Sequence, residues 1–141
     1  MSQFADFVAA QAPVIDAVEA ELARGRKQTH WMWFVFPQIA GLGHSAMSRR
    51  FALGSLADAA AYLRHPVLGP RLRRCTGLVN AVEGRSIHEI FGSPDDMKFH
   101  SSMTLFARAT AENDEFRAAL AKYFAGREDE NTLERLGAQH A

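Results

Sequence analysis

At 141 residues, 48% hydrophobic and 23% charged, the chain has the make-up of a soluble globular domain that can bury a core without a metal or disulfide. Its 16 basic and 16 acidic residues cancel, which argues against a general nucleic-acid binder and leaves room for a local basic site. Cys75 is the only cysteine, so an internal disulfide is excluded and a reducing compartment is expected.

The punctuation of the chain predicts helices throughout. Ser2 is placed to cap a short first helix carrying Phe4, Phe7 and Val8. Pro13 suits the first turn of a second, with Val14, Ile15, Val18 and Leu22 at helical spacing and Gly25 as its stop. An aromatic run follows, the seven large apolar residues from Trp31 to Pro37, and such a run must be buried. Its length suits a strand as well as a turn or two of helix. A lone strand would leave its backbone groups without partners, and no second convincing strand appears. The segment is therefore read as a buried helix capped by Thr29 and stopped before Pro37.

Ser45 is expected to cap a helix running through Met47, Phe51 and Leu53 to Gly54, and Ser55 the alanine-rich helix Leu56 to Arg64. His65-Pro66 interrupts, because proline disfavours helix in the residue before it. A helix then runs from Val67 to Ala81 with Leu68, Leu72, Cys75 and Val79 on one face. Ser86 to Glu89 has the capping-box pattern and opens a short helix to Phe91. Ser93-Pro94-Asp95-Asp96 combines a cap, a first-turn proline and acidic first-turn residues, and starts a helix to Ala109. Asn113 or Asp114 opens the next, with Phe116, Leu120, Tyr123 and Phe124 inward and Gly126 after its end. A last short helix holds Leu133 and Leu136. The expected architecture is all-α, about seven to nine short helices around one buried aromatic helix, in a single domain over residues 1–141. No apolar stretch reaches the roughly 18 residues of a membrane span. The N-terminus lacks the basic and apolar regions of a signal peptide. The expected location is cytoplasmic.

Several polar residues fall against this pattern. On a wheel of about 100° per residue, Asp95, Lys98 and Ser102 line up on the inward side of their helix. Lys98 there can act as a base or hold an anion, or it can snorkel and pair with Asp95. His30 is either a boundary histidine or a catalytic base. Gln38 either satisfies a nearby backbone group or reads a ligand's edge. Lys27 and Arg26 follow a helix end, where cations complement the dipole. The loop Gly41 to Ser45 leads into a helix start that can take a phosphate, without the Walker pattern. There is no His-Glu-x-x-His, no cysteine cluster and no Gly-x-Ser-x-Gly elbow. Asp96 and His100 have a spacing that can share a metal, but their arc faces away from the core. Neither a metal nor a cofactor is expected.

The stretch Gly25-Arg-Lys…His30-Trp-Met-Trp-Phe-Val-Phe-Pro-Gln38, with Gly41-Leu-Gly…Ser45 after it, resembles the signature of the domain-of-unknown-function 1810 family. So do Tyr62 to Leu72 and Phe91 to Phe106, and the similarity covers nearly the whole chain. The resemblance implies an all-helical fold in a single small bacterial domain. It carries over no activity and no catalytic residue. The name calpastatin, borne by some members, belongs to a long disordered inhibitor and does not fit this composition. The family pattern matches Lys27, His30, Gln38, Ser45, Asp96, Lys98, Ser101, Ser102 and Thr104.

Three readings follow. In the first, Trp31 and Trp33 stack a planar ring, while Lys27 or Lys98 and the Ser45 helix start hold an anion. The ligand would be a small anionic or nucleotide-like molecule. Any chemistry would use His30 or Lys98 as base with Ser102 as partner, and whether the protein is an enzyme stays open. In the second, the domain is an interaction module for a protein partner not identified by the sequence. In the third, the polar residues form a structural network, and Ser102→Ala or His30→Ala costs on the order of 1–3 kcal/mol.

Overall fold

A computed structural model describes residues 4–139 of the chain. Among the described residues the architecture is all-helical: α1 (Ala5–Gln11), α2 (Ile15–Ala23), α3 (Met32–Val35), α4 (Ala46–Arg50), α5 (Leu56–Arg64), α6 (Leu68–Ala81), α7 (Ile87–Phe91), α8 (Asp95–Ala109), α9 (Asp114–Phe124) and α10 (Glu130–Gln139). Helix α8 is central and packs against α5, α7, α9 and α10, while α6 joins α2, α5 and α9. Every residue of α8 from Ser101 to Ala107 is buried, as expected of a helix surrounded on all sides.

Local signals set several helix starts. Ser45, Ser55 and Ser86 each accept a backbone N–H three residues on, and Glu89 completes the capping box at α7. Gly25 takes the positive φ of 75° expected of the residue that ends a helix. His65 stops α5 and its Nδ1 accepts from the N–H groups of Val67 and Leu68, so it also organises the start of α6.

Other expectations need correction. The aromatic segment is helical, but only for the single turn of α3, and Trp31 rather than Thr29 holds its N-cap position, with no side-chain cap. The Thr29 hydroxyl is drawn instead to Glu21. Pro13 lies in the turn before α2, which starts at Ile15. Pro94 takes the N-cap position of α8 that Ser93 was expected to fill, and the Ser93–Pro94 peptide is cis. Helix α4 ends at Arg50, short of Leu53. Leu53 instead pairs with Ile39 in an isolated parallel bridge, donating to the Gln38 carbonyl (2.9 Å) and accepting from Ala40 (2.8 Å). The exit of the aromatic run thus finds backbone partners without a sheet. The cap expected at Ser2 lies outside the described residues.

Trp31, Met32, Phe34, Val35 and Phe36 are all buried, and Trp33 is half-buried. Phe36 meets Phe91 and Phe99 edge-on, with ring centroids at 5.9 and 5.1 Å. Buried Gln11 donates to the Phe34 carbonyl (2.6 Å) and to the Tyr62 hydroxyl (3.1 Å), satisfying the backbone where the short α3 ends. Among the described residues no helix is long and apolar enough to cross a membrane.

Candidate functional site

The segment before α3 is held by a buried carboxylate. Glu21, in the last turn of α2, accepts from the backbone N–H of Gln28 (2.7 Å) and Thr29 (3.0 Å), the Thr29 hydroxyl (2.6 Å) and the Trp31 indole (3.0 Å). Burial acts to raise the Glu21 pKa, and the donors from Thr29, Gln28 and Trp31 together outweigh it. The carboxyl is pushed down from 4.5 to about 2.

This clamp places Lys27 where its ammonium reaches the start of α8. Its Nζ lies 2.9 Å from Asp95 Oδ2 with the side chain 8% exposed, and 5.1 Å from the centre of the Trp31 ring. Lys98, one turn along α8, approaches the other Asp95 oxygen at 3.6 Å and lies 5.4 Å from the Trp33 ring. Two ammonium groups therefore share one carboxylate, and each also lies near an indole ring. The inward alignment of Asp95 and Lys98 and their pairing both follow the wheel. Lys27 does more than follow a helix end.

Lys98 also lines a surface cleft of about 200 Å³ between the start of α8, the loop after Gln38 and the segment entering α10. Leu42, Pro94 and Met97 form its apolar wall. Gln38, Ser101, Asp129 and Asn131 supply the other polar groups. Asp129 is fixed by its Oδ2, which accepts from the Thr132 N–H (3.0 Å), the Thr132 hydroxyl (2.7 Å) and the Ser101 hydroxyl (3.1 Å). Its own N–H donates to Thr104 Oγ1 at 2.8 Å. Ser101 and Thr104 thereby tie α8 to the start of α10.

Of the residues singled out in the sequence, the cleft gathers Lys98, Gln38 and Ser101, with Asp95 and Lys27 directly behind Lys98. The rest stand elsewhere. Ser102 is 0% exposed, and its hydroxyl has no hydrogen-bond partner. His30 is exposed and does not line the cleft. The structural-network reading therefore does not hold for Ser102, whose hydroxyl enters no network; the buried polar side chains that do tie down the aromatic segment, Glu21 and Gln11, were not among those it named. Trp31 is 1% exposed, so its faces are closed to a ligand. Ser45 serves as the exposed cap of the five-residue α4. Thr104 is buried and bonded to His100 and Asp129. Asp96 accepts from the Met97 N–H, and its other oxygen lies 3.1 Å from His88. His100 stacks on Phe124 at 3.9 Å and donates from Nε2 to the Arg127 carbonyl. Among the described residues no group of three His, Cys, Asp or Glu side chains is placed to hold a metal.

Glu21, Asp129 and Asn131 were not singled out from the sequence. Asp129-x-x-Thr132 is a readable cap-and-first-turn pattern. Glu21 gives only a weak signal, a carboxylate beside the inward Leu22 and three residues after Val18.

Fold and cleft together define a small all-helical protein with a shallow surface cleft, largely apolar in its lining and edged by a few polar groups, where the starts of α8 and α10 meet. The chain belongs to the family described as Protein of unknown function (DUF1810), whose sequence pattern matches residues 1–136. It is similar to a solved structure of the conserved hypothetical protein Rv1873 from Mycobacterium tuberculosis, at 61% identity over 94% of each chain and a TM-score of 0.93. No curated protein matches it.

Proposed function

We propose that this protein binds a compact anionic small molecule in the cleft beside Lys98. The observation that carries the reading is the sharing of Asp95. Lys27 holds that carboxylate at 2.9 Å, within hydrogen-bond range, while Lys98 stands off at 3.6 Å and faces the cleft. Two cations against Asp95 leave positive charge on the Lys98 side of the cleft, with the Asp129 carboxylate on its other side. The Gln38 side chain adds a free donor and acceptor beside it.

Size narrows the ligand. A volume of about 200 Å³ is below the 300–1,000 Å³ of ordinary ligand pockets. It suits roughly six to eight non-hydrogen atoms, judged from benzene filling a cavity of about 150 Å³. A short carboxylate or phosphate fits, whereas a whole nucleotide overfills it. The burial of Trp31 removes the stacking surface that a nucleotide base would use there. The proposal stops at binding, because Ser102 is sealed in the core and His30 stands outside the cleft. An interaction module would present a contiguous apolar patch. Met97, 65% exposed, is the lone exposed large hydrophobic among the described residues, and single ones are ordinary.

The test is calorimetric titration with acetate, propionate and inorganic phosphate at low ionic strength. At least one should bind saturably, and Lys98→Met should weaken it roughly tenfold or more while the variant melts like the wild type. Equal affinity in both proteins would remove Lys98 from the site and defeat the reading.

A further inference from the structure

We propose that the ligand of this cleft carries a cationic donor as well as its anionic group, which makes it a small amino-carboxylate rather than a simple acid or a phosphate. The inference rests on the small-anion reading of the same cleft and adds the second charge.

Asp129 carries it. Its Oδ2 is consumed by Thr132 and Ser101, but its Oδ1 has no hydrogen bond, and no cation pairs with it among the described residues. Lys98 lines the same cavity and pairs with Asp95, not with Asp129. A cation and a carboxylate therefore border one space of about 200 Å³ without neutralising each other.

A ligand seated between these walls displaces part of the water from both groups, and a charge that loses water gains from a partner of opposite sign. A simple anion seated on Lys98 satisfies the lysine while bringing like charge towards Asp129 and leaving the free oxygen unpaired. A phosphate brings more negative charge and is disfavoured further. A ligand with an ammonium and a carboxylate answers both walls together. The half-buried Gln38 amide, itself without a side-chain partner, can donate to the ligand carboxylate and accept from its ammonium. Leu42 and Met97 leave an apolar surface for a short aliphatic part.

The discriminating experiment is calorimetric titration of the full chain with alanine, with its half-molecules propionate and ethylamine, and with glycine, β-alanine and 4-aminobutyrate to vary the span between charges. At least one amino acid should bind roughly tenfold or more tightly than propionate. Asp129→Asn should bring that ratio to about one, while an asparagine still caps α10. Lys98→Met should weaken amino acid and propionate alike. If propionate binds as tightly as every amino acid, or if Asp129→Asn keeps the preference, the amino-carboxylate assignment is overturned and the small-anion reading stands. If none of the acids nor phosphate binds, both readings fall together.

Discussion

Two polar clusters flank the aromatic turn, and they differ in how completely their groups are paired. At the entry, Glu21 is 3% exposed and surrounded by donors from Gln28, Thr29 and Trp31. At the exit, Lys98 stands 3.6 Å from a carboxylate already held by Lys27, Asp129 keeps a free oxygen, and the Gln38 amide lacks a partner. A charge satisfied internally stabilises the fold and has little left to offer a ligand. A charge left partly unsatisfied at a cleft wall adds little to stability and retains binding capacity. Chemical type alone therefore does not separate the two clusters, since both contain carboxylate, hydroxyl and amide groups.

If that contrast is right, substitutions at the entry should act on stability and those at the exit on binding. The largest effect is expected at Glu21. Removing its side chain in Glu21→Ala orphans several buried donors and should lower unfolding free energy by about 3 kcal/mol, measured by urea denaturation. Its pKa also sets a pH signature. The folded value of about 2 lies below the ordinary 4.5, so its contribution is full above pH 4.5 and is lost as pH falls from there towards 2. That span corresponds to about 3 kcal/mol, and Glu21→Gln should show a correspondingly shallower loss of stability on acidification.

Gln11 comes next. Gln11→Ala leaves the Phe34 carbonyl and the Tyr62 hydroxyl without its amide, and denaturant unfolding should show a loss of roughly 1–3 kcal/mol. At the exit, Lys98→Met should change stability by no more than about 0.5 kcal/mol while weakening the anion roughly tenfold in calorimetry. A large stability loss in that variant would erase the distinction between the clusters. The smallest effect is expected at Ser102, whose buried hydroxyl has no partner to lose. Ser102→Ala should stay within about 0.5 kcal/mol of wild type or gain slightly. A loss of 1–3 kcal/mol, as in a structural network, would contradict the placement described.

What was legible in the sequence is mainly what is local. Ser45, Ser55 and Ser86 act within three residues of the helices they start, so a cap and its partner can be read together. The wheel of α8 put Asp95, Lys98 and Ser102 on one side, and the pairing of the first two bears that out. Periodicity gives direction, however, and not depth. Lys98 in the first turn reaches the cleft, whereas Ser102 one turn further is fully buried. The Glu21 clamp depends on the chain folding back on α2, so a carboxylate on a helix reads as a solvated one until its donors are known. Gln38 lines the cleft together with Lys98, its carbonyl held by the Leu53 N–H beside the Ile39–Leu53 bridge. Asp129 joins them through Ser101, 28 residues away in sequence. No short pattern encodes contacts of that range.

The central claim is that the exit cleft binds a small anion through Lys98. Its most direct test is an amide-shift titration of the isotopically labelled protein with propionate and with alanine. Saturable shifts are expected at Gln38, Ser101, Asp129 and Asn131 with at least one of the two, and their loss in Lys98→Met. Shifts that never saturate, or that saturate equally in the variant, would contradict the claim.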